Sequence, residues 1–185
     1  MSALTRLFSG PMDRAAASGA AGAYGGESGP AAAAQPVSAS VRAAAAAAAG
    51  AMLAAGALHA VWVFTPWPLA SRSEFATAVV GVTESELPSG PLTFAVAGLL
   101  GAAACLVASE ARPEGRFVRS PVARAGLWTV TGVMAARGLG GLAASGLGLG
   151  SAPAEFRRWD LLLYSPLCVT LGGLTGYVAM RTRRR

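Results

Sequence analysis

Five side chains of this chain, His59, Trp62, Arg137, Asp160 and Tyr164, have types and positions that could do chemistry together. Arg137 and Asp160 are natural partners in an ion pair, and truncating either would leave the other charge uncompensated. His59 is the single histidine. One imidazole without further ligands at metal spacing does not make a zinc site, so its simplest role is a hydrogen bond to Trp, Tyr or a backbone carbonyl. Asp160 and Tyr164 stand one helical turn apart, which puts a carboxylate and a phenol on one face. Pro166 lacks an N–H and crowds the carbonyl of Leu162, so a helix there should kink or loosen. Neither a metal nor a cofactor is expected. The chain holds no G-x-S-x-G, H-E-x-x-H, Walker A or G-x-G-x-x-G, and no lysine for a Schiff base.

The elements that must position these residues are set by composition. Of 185 residues 54% are hydrophobic and 13% charged, with a mean hydropathy of +0.50, whereas a soluble domain carries about a quarter charged residues. Between Arg42 and Arg72 the only acidic, basic or imidazole side chain is His59, and from Leu87 to Ser109 there is none. Between Arg124 and Glu155 there is only Arg137, and from Leu161 to Met180 none. Each stretch is near or above the ~20 residues that cross a bilayer core. An alanine-rich soluble bundle would need a charged face at helical spacing, and no segment has one. The expected fold class is therefore all-α, an integral membrane four-helix bundle.

Residues 1–41 are rich in Ala, Gly, Ser and Pro, and are expected to form a disordered tail without a cleavable signal peptide. Residues 42–180 make up the four-helix transmembrane domain, and 181–185 a basic tail. The helices are expected at about Arg42–Phe64, Pro91–Ser109, Pro121–Ala144 and Asp160–Met180. Trp62, Pro66, Trp67 and Pro68 end the first near the headgroups. In the 65–90 loop, Ser71 and Glu74 fit a capping box, and Phe75 with Val79 gives an apolar stripe, so a short interfacial helix is expected there. A Gly-rich bend, Gly146 to Pro153, precedes the fourth helix.

All fifteen basic residues are Arg, a bias that points to a high-GC bacterial genome and hence a bacterial inner membrane. An N-terminus in the cytoplasm puts eleven of them inside, among them Arg112, Arg116, Arg119 and Arg124. Three (Arg72, Arg157, Arg158) then lie outside and one in the membrane. The positive-inside rule selects this topology, with both termini cytoplasmic. The Arg181–Arg185 run would hold anionic lipid. Arginines confined to loops and tails argue against nucleic acid as partner. Arg137 then lies ~22 Å across the membrane and His59 ~25 Å, at similar depth, where an Arg costs at least ~2.5 kcal/mol unless it snorkels or finds a partner. Two small-residue stripes, Gly132, Ala136, Gly140 and Ala144 on the third helix and Gly172 with Gly176 on the fourth, are expected to pack helices within the chain, a dimer face being the alternative. Cys105 and Cys168 fall at different depths, too far apart for a disulfide, and read as small buried residues.

Three motifs carry a resemblance. Leu58-His59-Ala60-Val61-Trp62, Arg137-Gly138-Leu139-Gly140-Gly141, and Phe156-Arg157-Arg158-Trp159-Asp160 through Tyr164-Ser165-Pro166-Leu167-Cys168 together resemble a bacterial family, domain of unknown function 3995, over about Arg42 to Met180. The resemblance implies a small four-helix membrane protein and supplies no activity. Thr65-Pro66-Trp67-Pro68 departs from that family's usual Gly-containing turn.

The leading functional expectation is a non-enzymatic membrane protein that binds a small ligand, lipid or protein partner through a polar pocket in the outer leaflet, formed by His59, Trp62, Arg137, Asp160 and Tyr164. The alternatives are a membrane enzyme with His59 or Asp160 as acid or base, Tyr164 as donor and Arg137 as anion holder, and a structural subunit of a larger complex. Transport by four helices would need an oligomer.

Overall fold

Alanine, the strongest helix former, fills the first apolar run, and a helix runs through it. In a computed structural model of the chain, residues 37–112 and 120–182 are described. The tail before residue 37, Arg116, Arg119 and residues 183–185 lie outside them. Helix α1, Ala39–Trp62, starts three residues before Arg42 because Ser38 caps it, its Oγ accepting from the Val41 N–H at 3.4 Å. At its far end the Trp62 indole donates to the Trp67 carbonyl at 2.8 Å and closes the Pro-rich turn.

The short helix in the next connection is present. Helix α2, Arg72–Phe75, continues into a π-turn, Ala76–Val80. Ser71 Oγ accepts from the Glu74 N–H, and the Glu74 carboxylate reaches back to the Ala70 N–H, both at 3.1 Å. The reciprocal bond therefore falls one residue earlier than in an ordinary capping box. Gly81, at φ 81°, ends the turn, and a Cβ on it would lie 2.7 Å from the Phe156 ring. Only glycine serves there.

Helix α3 is Gly90–Ser109, and α4 is Pro121–Leu147, with Pro121 in its first turn and Ser120 Oγ capping Ala123 N–H at 3.0 Å. Helix α5, Ala154–Trp159, a π-turn at Asp160–Tyr164, and α6, Ser165–Thr182, form one 29-residue rod. It begins before Asp160 because Pro153 can stand at a helix start. The loosening expected at Pro166 takes the form of this π-turn, in which the Ser165 N–H donates to the Asp160 carbonyl.

Every regular element among the described residues is a helix or helical turn, and none is a strand. Three helices, Ala39–Trp62, Gly90–Ser109 and Ala154–Thr182, are long and apolar enough to cross a membrane. They support a membrane protein. α4, with 27 residues, is long enough, but Arg124, Arg137 and six glycines keep it out of that set.

α1 packs mainly on α3, and α4 on α6, with α1 also against α6 and α3 against α4. The Gly172 and Gly176 pair packs within the chain as expected. A Cβ at Gly172 would meet the Ala135 nitrogen at 3.0 Å, and one at Gly176 the Thr131 methyl at 3.3 Å. The α4 stripe needs correction. Gly132 and Gly140 have nothing within 4 Å of a would-be Cβ, so the face that meets α6 is Thr131, Ala135, Gly138 and Gly141. Periodicity of four identifies a stripe but not the neighbour it faces.

The closed core holds Val41, Ala45, Ala48, Met52, Ala104, Val107, Leu127 and Val178, all near the end where α1 begins and α6 finishes. Large apolar side chains elsewhere point outward, among them Phe94, Leu99, Val133 and Leu139. Cys105 is exposed among them and is not the buried residue expected, whereas Cys168 is half-buried.

Candidate functional site

Asp160 sits in the π-turn, and its side chain is 1% exposed. A carboxylate so enclosed needs donors for its lone pairs, and it has three. Oδ1 accepts from Arg137 Nη2 at 2.8 Å and from Ser165 Oγ at 2.9 Å, and Oδ2 accepts from Ser145 Oγ at 2.6 Å. Arg137 Nη1 also donates to Ser165 Oγ at 3.3 Å. The expected ion pair is formed, with Arg137 44% exposed.

The Arg137-Gly138-Leu139-Gly140-Gly141 run supplies this geometry piece by piece. Arg137 brings the cation. Gly138 lets α4 touch α6, since a Cβ there would lie 2.7 Å from the Val169 nitrogen and 2.9 Å from the Ser165 carbonyl oxygen. Gly141 leaves the space the polar groups fill, for a Cβ on it would collide with Ser165 Oγ and Arg137 Nη1. The π-turn fits Pro166, because a wide turn relaxes the hydrogen-bond ladder where the proline cannot donate.

His59 uses Nδ1 against the Ala55 carbonyl at 2.8 Å. A carbonyl only accepts, so Nδ1 carries a proton, and in the neutral ring Nε2 is then the acceptor. The ring lies 4.9 Å from Trp62, which stands edge-on to Phe75 at 5.1 Å.

Two cavities flank Arg137. The first, of about 310 Å³, is lined by His59, Trp62, Phe75, Leu92, Val96 and Arg137 among others. The second, of about 500 Å³, is lined by Arg137, Gly140, Ala144, Ser145, Arg157 and Asp160 among others. They share only Val80, Arg137 and Phe156. Of the five expected residues, His59, Trp62 and Arg137 thus share one cavity. Asp160 belongs to the other and is joined to the first through Arg137. Tyr164 lines neither. Its hydroxyl donates to the Ala78 carbonyl at 3.3 Å, and its ring lies 6.1 Å from Phe156, so it ties the rod to the short surface segment.

Several residues of the site were not singled out from sequence. Ser145 could have been, because 137, 141 and 145 follow one another at i+4 on one helix face. Ser165 could not. Five residues after Asp160, it meets the same carboxylate only because the turn is a π-turn. Phe156 and Arg157 gave no signal beyond their motif. Glu110, at the end of α3 and at the opposite end of the molecule, was also missed. It is 3% exposed, and its Oε1 has no hydrogen-bond partner among the described residues. Burial pushes its carboxyl above the usual range. At the surface Glu86 goes the other way, held below that range by hydrogen bonds from the Thr83 hydroxyl and N–H.

The family described as protein of unknown function (DUF3995) matches residues 52–175 of the chain. The chain belongs to this family. The stretch runs from within α1 to within α6 and contains every residue of the ion-pair cluster and both cavity linings. No curated protein and no solved structure matches the chain. The matched range contains the three motifs, and membership in DUF3995 assigns no activity to them.

Proposed function

We propose that this DUF3995 protein is a four-span protein of the bacterial inner membrane, with both termini cytoplasmic, that binds a small amphipathic ligand in the cavity shared by His59 and Arg137. The carrying observation is that cavity. At about 310 Å³ it lies at the lower end of the range of ligand sites, which are largely apolar with a few placed polar groups. Trp62, Phe75, Leu92 and Val96 supply the apolar wall. His59 Nε2 offers an acceptor, and the exposed part of Arg137 offers donors to an anionic or carbonyl group. The α4 length and its packing between α3 and α6 support a fourth span. The distribution of arginines supports the orientation, which puts the cavity in the outer leaflet and Arg181 on the side of the anionic lipids.

The enzyme alternative draws less support. Both Asp160 oxygens are already engaged by Arg137, Ser145 and Ser165, which leaves His59 without a second acid or base beside it.

The test is native mass spectrometry of the protein purified in mild detergent, comparing wild type with Val96→Trp, which fills the cavity, and Val133→Trp on an outward face. A bound mass retained by wild type and Val133→Trp and lost from Val96→Trp is the expected result. A mass that survives in folded Val96→Trp rules the cavity out as its seat.

A further inference from the structure

The second cavity has a charge surplus that the protein itself does not answer. Arg137 and Arg157 both line it, against the single carboxylate of Asp160. Both oxygens of that carboxylate already accept from Arg137, Ser145 or Ser165, and its single charge does not balance two guanidinium groups. Arg157 is half-buried and enters no ion pair among the described residues. Its neighbour Arg158 is exposed and lines neither cavity. An arginine turned inward without a counter-charge, next to another whose outer part is open, is an unfilled demand for an anion.

We propose that this cavity is an anion site in which Arg157 and Arg137 together hold a phosphate group, carried by an anionic lipid headgroup or present as free phosphate. A phosphate takes donors from several directions at once, as two guanidinium forks provide, whereas one fork already satisfies a carboxylate. The room is there. Ala136, Gly140, Gly141 and Ala144 keep the α4 wall low, and the cavity measures about 500 Å³. Leu149 and Phe156 give it an apolar side, against which the glycerol or chain end of a lipid would rest. The site shares Arg137 with the cavity of His59 but has Arg157 to itself, so the Arg157 variant tests this assignment separately.

The experiment uses the full chain in mild detergent. Native mass spectrometry measures retention of phosphatidylglycerol against phosphatidylcholine, and thermal unfolding measures stabilisation by inorganic phosphate. The expected result is selective binding of phosphatidylglycerol, weakened about tenfold or more by Arg157→Gln. Arg158→Gln leaves it unchanged. Gly140→Leu, at a position with open space around it, closes the cavity without removing a charge and also abolishes binding. Arg157-dependent stabilisation by inorganic phosphate without selective lipid retention assigns the site to the free anion. The proposal is overturned if neither probe binds, or if folded Arg157→Gln and Gly140→Leu bind like wild type.

Discussion

Gly141 and Asp160 face each other across the α4–α6 contact so closely that a methyl group on the first would lie 2.9 Å from Oδ2 of the second. The absent side chain is what admits the carboxylate, its two hydroxyl donors and the Arg137 guanidinium to one place.

Gly141→Ala is therefore expected to cost about 1–3 kcal/mol through overpacking. Gly140→Ala, one residue away with nothing within 4 Å, should be neutral or gain up to about 1 kcal/mol from helix propensity. Thermal unfolding in detergent compares them. Equal melting temperatures would show that the cluster tolerates what its geometry forbids.

Arg137→Gln and Asp160→Asn each break a pair whose acidic member is buried. Such losses run to about 3–5 kcal/mol, and the lower part of that range or below is expected because Arg137 is 44% exposed and open to screening. The exchange Arg137→Asp with Asp160→Arg should not restore stability. The Asp160 carboxylate is 1% exposed and held at close range by Ser145 and Ser165, and a longer guanidinium at this position would lose both hydroxyl donors and displace their oxygens. Recovery in the double variant would mean that only the charges matter.

Tyr164→Phe removes the bond to the Ala78 carbonyl and should cost about 0.5–1.5 kcal/mol. The effect belongs to one segment. Hydrogen exchange should rise at 76–82 and stay unchanged through α4. A uniform rise would deny Tyr164 its role as a local tie.

Glu110 makes a pH prediction. Its folded carboxyl titrates above its unfolded value because of burial, so the protonated form favours the fold. The stability it contributes is complete below the ordinary carboxylate range and is lost as pH rises through the raised folded value. Its place at the C-terminal end of α3, the negative end of the helix dipole, acts in the same direction. Glu110→Gln should flatten the pH dependence of melting and match or exceed wild type at neutral pH. A variant less stable than wild type at pH 7 would show that the ionised form is held by a partner.

Much of this was legible from residues. Long uncharged runs gave the helices, Ser71 with Glu74 gave the surface segment, and the cost of burying a lone charge paired Arg137 with Asp160. Other features have no sequence signature of that kind. A π-turn differs from an α-turn by one residue, which hydrophobic periodicity does not resolve, so Ser165 and the early start of the last rod were hidden. Tyr164 was assigned to the pocket because it shares a helical face with Asp160, but the π-turn between them breaks that spacing. On α4 the glycines gave two possible small faces, and only the position of α6 chose between them.

The wide turn at Asp160–Tyr164 gives one rod two angular phases. An α-helix turns ~100° per residue, so the extra residue in the wide turn offsets Phe156 and Arg157 by about that angle from the face an unbroken α-helix continued back from α6 would give them. The residues that look into the cavities and those that anchor the rod are thereby uncoupled. The binding end can be rebuilt without disturbing the seam, and the seam can be held fixed while the chemistry at the other end drifts.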